Sequence, residues 1–349
     1  MFPLAFPYSI LKKYGTSGER VIDPFCGRGT TNYASRLLGM ASVGIDSSNV
    51  AVALTQAKIA NTNTALILSA ALQIITEIPS PSHVPQGEFW ELAYHPRVLR
   101  LLCRLREGLI ANCNTDARKG LRAIIMGALH GPQPKTRDSY FSNQCPRTYA
   151  PKPDYAVRFW TKHKMKPKDV DILSIIRERA LRYFESENTA PGGLIVKGDS
   201  RQASSYDLLT ADGGFGWAIT SPPYYGMTTY ISDQWLRNWF VGGNERVEYS
   251  TATQITHTSP EAFSLDLRKV WENVASASRN GARLVIRFGG INYRKVEPLD
   301  VLKFSLKDTR WKIVTVKSAG TPKKGRRQAE TFTNVASPVA EYDVWTRLQ

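Results

Sequence analysis

Apolar positions along this 349-residue chain recur with two periods, and the change from one to the other divides it into three stretches. At both ends, short apolar runs of strand length alternate with segments of helical period. The runs near 20–23 and 41–46, Leu194 to Val196, Trp217 to Thr220, Ala282 to Phe288, Trp311 to Val316 and Val339 to Trp345 predict seven strands. Helices are predicted near 30–38, over Phe263 to Ala277, and near 48–60 on the spacing of Val50, Leu54, Ala57 and Ile59. A short helix, Ile10 to Tyr14, follows an aromatic turn that holds Phe2, Phe6, Pro7 and Tyr8. Strands alternating with helices predict an α/β domain on one open sheet. Residues 61–190 break that alternation. Pro79-Ser80-Pro81-Ser82 reads as a loop, whereas Glu88 to Tyr94, Pro96 to Leu109, Leu121 to Leu129 and Asp169 to Glu185 read as helices around a basic loop rich in proline and aromatics. The division is therefore 1–60 and 191–349 as two parts of one domain, with 61–190 inserted as a helical and basic region.

Chemistry concentrates where the predicted strands end. Val21-Ile22 runs into Asp23-Pro24-Phe25-Cys26-Gly27-Arg28-Gly29-Thr30-Thr31, whose two glycines let backbone approach a ligand closely before a helix begins. The third glycine of a dinucleotide fingerprint is missing. The next strand ends in Asp46, placed to accept from ribose hydroxyls, and Leu194-Ile195-Val196-Lys197-Gly198 ends in Asp199. After Trp217-Ala218-Ile219 comes Thr220-Ser221-Pro222-Pro223-Tyr224-Tyr225, in which two prolines pre-set a turn that aims a hydroxyl, a carbonyl and a ring at one small volume. Ligands of open α/β sheets bind outside the carboxyl ends of strands, and Gly27, Asp46, Asp199 and Ser221 all fall at such ends.

Together these segments resemble the DNA amino-methyltransferases, which methylate cytosine N4 or adenine N6 from S-adenosyl-L-methionine. The resemblance covers about residues 15–60 and 190–349 and rests on the Asp-Pro-Phe-x-Gly-x-Gly-Thr-Thr and Ser-Pro-Pro-Tyr motifs. It implies a Rossmann-like, seven-stranded class I methyltransferase fold with a mixed sheet and a largely helical insertion. It implies a cofactor pocket of Phe6, Asp23, Pro24, Phe25, Gly27, Gly29, Thr30, Thr31, Asp46 and Asp199, with Asp199 near the adenine, and a catalytic turn of Ser221, Pro222, Pro223 and Tyr224. Serine at the first catalytic position is similar to the cytosine-N4 branch, since the adenine-N6 branch more often carries Asp or Asn. The insertion precedes the strand that ends in Asp199, so the subclass stays open. Phe6 also suits a core-facing cap.

Charge narrows the partner. The formal net charge is +16, and between Gly131 and Lys168 nine Lys or Arg face only Asp138 and Asp154. Lys317 to Arg327 adds five more without an acid. Such clustering is the footprint of a nucleic-acid enzyme, and Lys135, Arg137, Arg147, Lys162, Lys164, Lys166, Lys323, Lys324 and Arg326 are the expected contacts to double-stranded DNA. The insertion reads as a target-recognition module or as a packed lid. The four cysteines form no zinc spacing, so no metal is expected and a reduced cytoplasm of prokaryotic or phage-like setting is the expected location. No apolar run reaches the roughly 18 residues needed to cross a bilayer. A paired restriction endonuclease, if there is one, is a separate protein.

An exocyclic amine is a poor nucleophile because its lone pair enters the ring. Ser221 Oγ and the Pro222 carbonyl are placed to accept its two N–H bonds, and Tyr224 to stack on a base flipped out of the duplex. Tyr225, Trp235 and Trp239 read mainly as core, and Asp233 mainly as a solvated acid. Cytosine-C5 chemistry needs a cysteine nucleophile, which neither Cys26 nor Cys145 supplies. Adenine-N6 transfer, RNA amino-methylation and non-enzymatic nucleic-acid binding are the competing readings.

Overall fold

The computed structural model describes residues 2–134, 136–145, 152–185, 192–209, 213–226, 233–248, 255–290, 296–320 and 340–349. They form two compact units, one of Met1–Thr55, Ala190–Thr228 and Ala252–Gln349, the other of Gln56–Thr189 and Thr229–Thr251.

The first unit is built on a seven-stranded sheet of β1 (Val21–Asp23), β2 (Ser42–Asp46), β3 (Gly193–Lys197), β4 (Phe215–Thr220), β5 (Ser278–Gly289), β6 (Trp311–Gly320) and β7 (Glu341–Leu348). Their order is β3-β2-β1-β4-β5-β7-β6. The pairs from β3 through β5 are parallel, and β7 runs antiparallel to β5 and β6. That order and that single reversed strand make a Rossmann-like class I methyltransferase fold. Strand order reverses between β1 and β4, which is the switch point where ligands of open α/β sheets bind. Both predicted motifs follow those two strands.

Alternate residues of each strand supply two cores. Val21, Trp217, Ile219 and Val285 face one way, onto Phe2, Phe6, Ile10 and Leu11 from helix α1 (Ala5–Tyr14) and the turn before it. Ile22, Ala218, Leu284 and Ile286 face the other, onto Phe263, Leu267, Val270 and Trp271 of a helix over Pro260–Ser276. Because both faces are buried, the strands read as continuous apolar runs. Helices α2 (Thr30–Leu37) and α3 (Asn49–Ile59) follow β1 and β2.

The second unit is helical: α4 (Thr64–Glu77), α5 (Glu88–Ala93), α6 (Pro96–Ala111), α7 (Asp116–Ala128), α8 (Pro153–Lys162), α9 (Ile172–Phe184) and α10 (Trp235–Phe240). Helix α4 packs on α6, α7 and α9. Two expectations need correction. Part of the basic loop is α8, which starts with Pro153 in its first turn and buries Ala156 and Trp160, whose Nε1 donates to the Gln144 carbonyl at 2.8 Å. Residues 229–251 were expected in the first unit, yet Trp235 and Trp239 of α10 lie 5.9 and 4.7 Å from Trp90 of α5. Two more helices, α11 (Pro260–Ser276) and α12 (Pro298–Leu306), belong to the first unit. No helix among the described residues is long and apolar enough to cross a membrane.

Candidate active site

The loop after β1 is folded onto the acid that ends β2. Asp46 accepts the Gly27 N–H at Oδ2 and the Ser48 N–H at Oδ1, both at 2.9 Å. Gly27 and Gly29 have φ of 52° and 68°, a region that costs other residues strain. A Cβ on Gly29 would also meet Thr55 at 2.6 Å, so the loop lies against α3 too closely for any side chain there. Gly29 is the N-cap of α2 and gives it no capping side chain, so first-turn amides stay available to an anion. Burial raises the Asp46 pKa against the pull of the Ser48 and Gly27 amides. An uncapped helix start beside the Asp46 carboxylate is a donor and acceptor set that fits a cofactor carrying a carboxylate and a sugar.

Asp23 does different work from the expected cofactor contact. It is buried, and Oδ1 takes the Thr220 hydroxyl at 2.6 Å and the Phe25 N–H at 3.1 Å. Burial lifts its pKa to about 6, with the bonds from Thr220 and Phe25 opposing. Thr31 is also fully buried, and its hydroxyl donates to the Ile219 carbonyl at 3.0 Å. These two side chains tie β1 and α2 to β4 immediately before Ser221. The Pro24 carbonyl is held by the Ser200 hydroxyl, and Phe25 meets Trp271 edge-on. Phe6 lies in the core under the Arg287 guanidinium, 3.7 Å from its ring centre. Thr30 is half-buried at the start of α2.

Asp199 is gripped by Arg201, whose Nε lies 3.0 Å from both carboxylate oxygens, and Arg201 also reaches Asp266 at 2.8 Å. Burial pushes Asp199 upward, but the Arg201 bonds and charge outweigh it and hold the pKa below its ordinary value. Asp266 is lowered further, to about 2, where bonds from Arg201, Thr256 and Lys269 overcome burial.

The turn after β4 presents acceptors. Among the described residues neither the Ser221 side chain nor the Pro222 carbonyl has a hydrogen-bond partner, and Ser221 is half-buried. Tyr224 is different from the expectation of a stacking surface. It is 7% exposed, meets Phe288 edge-on at 5.4 Å, and donates its hydroxyl to Glu341. Its ring lies so close to Gly289 that a Cβ there would stand 3.3 Å from it. Tyr225 is equally buried, against His257 and Phe263.

Residues 1–57 match a DNA methylase family model. That stretch holds the glycine loop and Asp46. No curated protein matches the chain in sequence at a significant level. Solved structures similar to it include the rRNA methyltransferase AviRa of Streptomyces viridochromogenes, with 13% identity, TM-score 0.34, and coverage of 99% of this chain and 85% of that one. A SAM-dependent methyltransferase of Methanosarcina mazei has 10% identity and TM-score 0.37, covering 100% and 98%. An rRNA methylase of Streptococcus thermophilus has 8% identity and TM-score 0.34, also covering 100% and 98%. At those values the likenesses carry no argument about substrate. Fold, loop and family match together support an S-adenosylmethionine-dependent methyltransferase. S-adenosyl-L-methionine is the cofactor that the uncapped α2, the glycine loop and Asp46 fit.

Of the expected nucleic-acid contacts, Lys135, Arg147, Lys323, Lys324 and Arg326 lie outside the described residues. Arg137 is paired with Glu178 at 3.2 Å. Lys162, Lys164 and Lys166 are exposed in and after the last turn of α8 and form no ion pair among the described residues. Among those residues no cluster of His, Cys, Asp and Glu could hold a metal ion. Sequence reasoning missed Arg201, which stands two residues after Asp199, and Glu341 and His257, which are distant in sequence from the turn they support. Isolated charged residues and a single His carry no local signal of such a role.

Proposed function

We propose that this methyltransferase transfers a methyl group to the exocyclic N4 amine of cytosine in double-stranded DNA, acting on a base flipped out of the helix. The observation that carries the reading is the Ser221-Pro222-Pro223-Tyr224 turn at the end of β4, next to the strand that bears the glycine loop, with two acceptors at its start that have no partner among the described residues. S-adenosyl-L-methionine would supply an electrophilic methyl on sulfonium sulfur, held by the Gly27 to Thr31 loop and by Asp46. Asp199 is proposed at the adenine end, sharing its carboxylate with Arg201. Ser221 Oγ and the Pro222 carbonyl accept from the two N–H bonds of the amine. This draws the lone pair out of conjugation and aims it along the line of transfer, so that the N–C bond would form as the S–C bond breaks, with a neutral thioether as leaving group and one amine proton released to solvent. No covalent bond to the enzyme is needed, which agrees with the buried Cys26, whose thiol burial pushes well above its ordinary pKa.

Nucleoside mass analysis of DNA incubated with the protein and S-adenosyl-L-methionine decides the product. N4-methylcytosine is expected. N6-methyladenine would move the assignment to the other amine, 5-methylcytosine would overturn the chemistry, and labelling of RNA alone would overturn the substrate. Ser221→Ala should lower turnover by about 100- to 1000-fold, the scale for losing one charge-stabilising contact in a transition state, while DNA affinity stays unchanged.

A further inference from the structure

The Ser221 turn needs an anchor at its far end, and the structure contains one that neither motif announces. Gly226 closes the segment with φ of 90°, and its N–H donates to His257 Nδ1 at 2.9 Å. A ring nitrogen that accepts carries no proton, so His257 is here the neutral tautomer protonated at Nε2. Its ring lies 5.3 Å from Phe263 and 6.1 Å from Tyr225, both buried, which restricts its rotation. Its backbone is fixed as well, because the preceding Thr256 N–H donates to Asp266 at 3.2 Å and Ile255 is buried in the core. Asp266 is in turn held by Arg201, the residue that grips Asp199 at the end of β3.

We infer that His257 is a positioning residue for methyl transfer: by accepting from Gly226 it fixes the end of the catalytic turn, and so the place of Ser221 Oγ and the Pro222 carbonyl. This rests on the reading of that turn as the acceptor of the amine. The prolines set φ at two positions and Glu341 holds the Tyr224 hydroxyl, but neither restrains Gly226. Glycine has the most backbone freedom to lose, and a one-ångström drift of the acceptors is enough to weaken alignment of the reacting atoms.

Two substitutions separate the contact from the packing. His257→Phe keeps a ring between Tyr225 and Phe263 but cannot accept, whereas His257→Asn gives up the ring and offers an amide oxygen near the place of Nδ1. Amide hydrogen exchange at Gly226 is measured in each protein alone, with calorimetric cofactor affinity, melting temperature, and kcat and KM on DNA. In His257→Phe, exchange at Gly226 should quicken and kcat should fall, each by about tenfold, the scale of one net hydrogen bond. KM and cofactor affinity should hold, and His257→Asn should recover most of both losses. The inference is overturned if His257→Phe leaves exchange and kcat at wild-type values, or if His257→Asn loses as much as His257→Phe. If the wild-type protein methylates no DNA, the amino-methyltransferase reading fails instead, and Gly226 exchange in the two variants still decides whether His257 holds the turn.

Discussion

Asp23 and Ser221 lie at the ends of neighbouring parallel strands and use their oxygens in opposite ways. The Ser221 hydroxyl has no protein partner among the described residues, while Asp23 is buried and its Oδ1 accepts from both Thr220 and Phe25. Its pKa of about 6 in the folded protein exceeds the ordinary value of 3.8, so the folded form holds its proton more tightly than the unfolded chain does. The stability this gives is therefore present below pH about 4 and is lost as pH rises toward 6, to an extent of about 3 kcal/mol. Asp23→Asn retains an oxygen for Thr220 and Phe25 and cannot ionise. Urea unfolding of the two proteins between pH 4 and 7 should show the variant gaining on the wild type as pH rises, and parallel curves would remove Asp23 as the cause. Tyr224 offers a second test at this scale. Tyr224→Phe keeps the ring and removes the bond to Glu341, and turnover should fall several-fold, for about 1 kcal/mol. Loss in Tyr224→Ala alone would assign the ring face to stacking on the base instead.

Most of the first unit was legible because its elements announce themselves locally. Strands buried on both faces are apolar throughout, and glycines, prolines and acids mark where they end. Helix α4 went unseen because Leu66 and Leu72 lie exposed on the face opposite Ile67, Ala70, Ala71 and Ile74, which leaves a sequence apolar all round with no helical stripe. Helix α8 hides in a stretch whose prolines and charges suggest a loop, although Pro153 stands in its first turn, where a missing N–H would bond nothing. The assignment of α10 to the second unit depends on tertiary packing of Trp235 and Trp239, which no window of sequence contains. That same unit buries His130, whose two ring nitrogens have no partner among the described residues and whose pKa is lowered to about 3 by burial and then by the Arg237 charge. A histidine held neutral contributes its stability above the unfolded value of about 6.5 and loses it as pH falls toward 3. His130→Leu should therefore reduce the acid sensitivity of unfolding between pH 6 and 4, read by far-ultraviolet circular dichroism. An unchanged acid midpoint would show that the imidazole is not the group that yields.

For the whole molecule, the +16 charge sets how it meets a polyanion. Lys162, Lys164 and Lys166 are exposed and without ion pairs among the described residues, whereas Lys168 is 3.6 Å from Asp138. If the first three meet phosphates, changing all three to Gln should reduce the slope of log affinity against log salt by about 2 to 3, close to 0.9 for each contact. An unchanged slope in a binding titration would place the DNA elsewhere. The two units share one further property, which is that neither is continuous in the chain. Strand β2 pairs Ser42 with Gly193, β1 pairs Val21 with Trp217, and Trp90 packs on Trp239. During translation β1 and β2, which pair with each other, therefore leave the ribosome long before their outer neighbours β4 and β3 exist. The nascent chain has to carry a two-stranded fragment with both outer edges open while the whole inserted helical region is made, so the yield of folded protein should depend on chaperones that shield those edges until the neighbouring strands arrive.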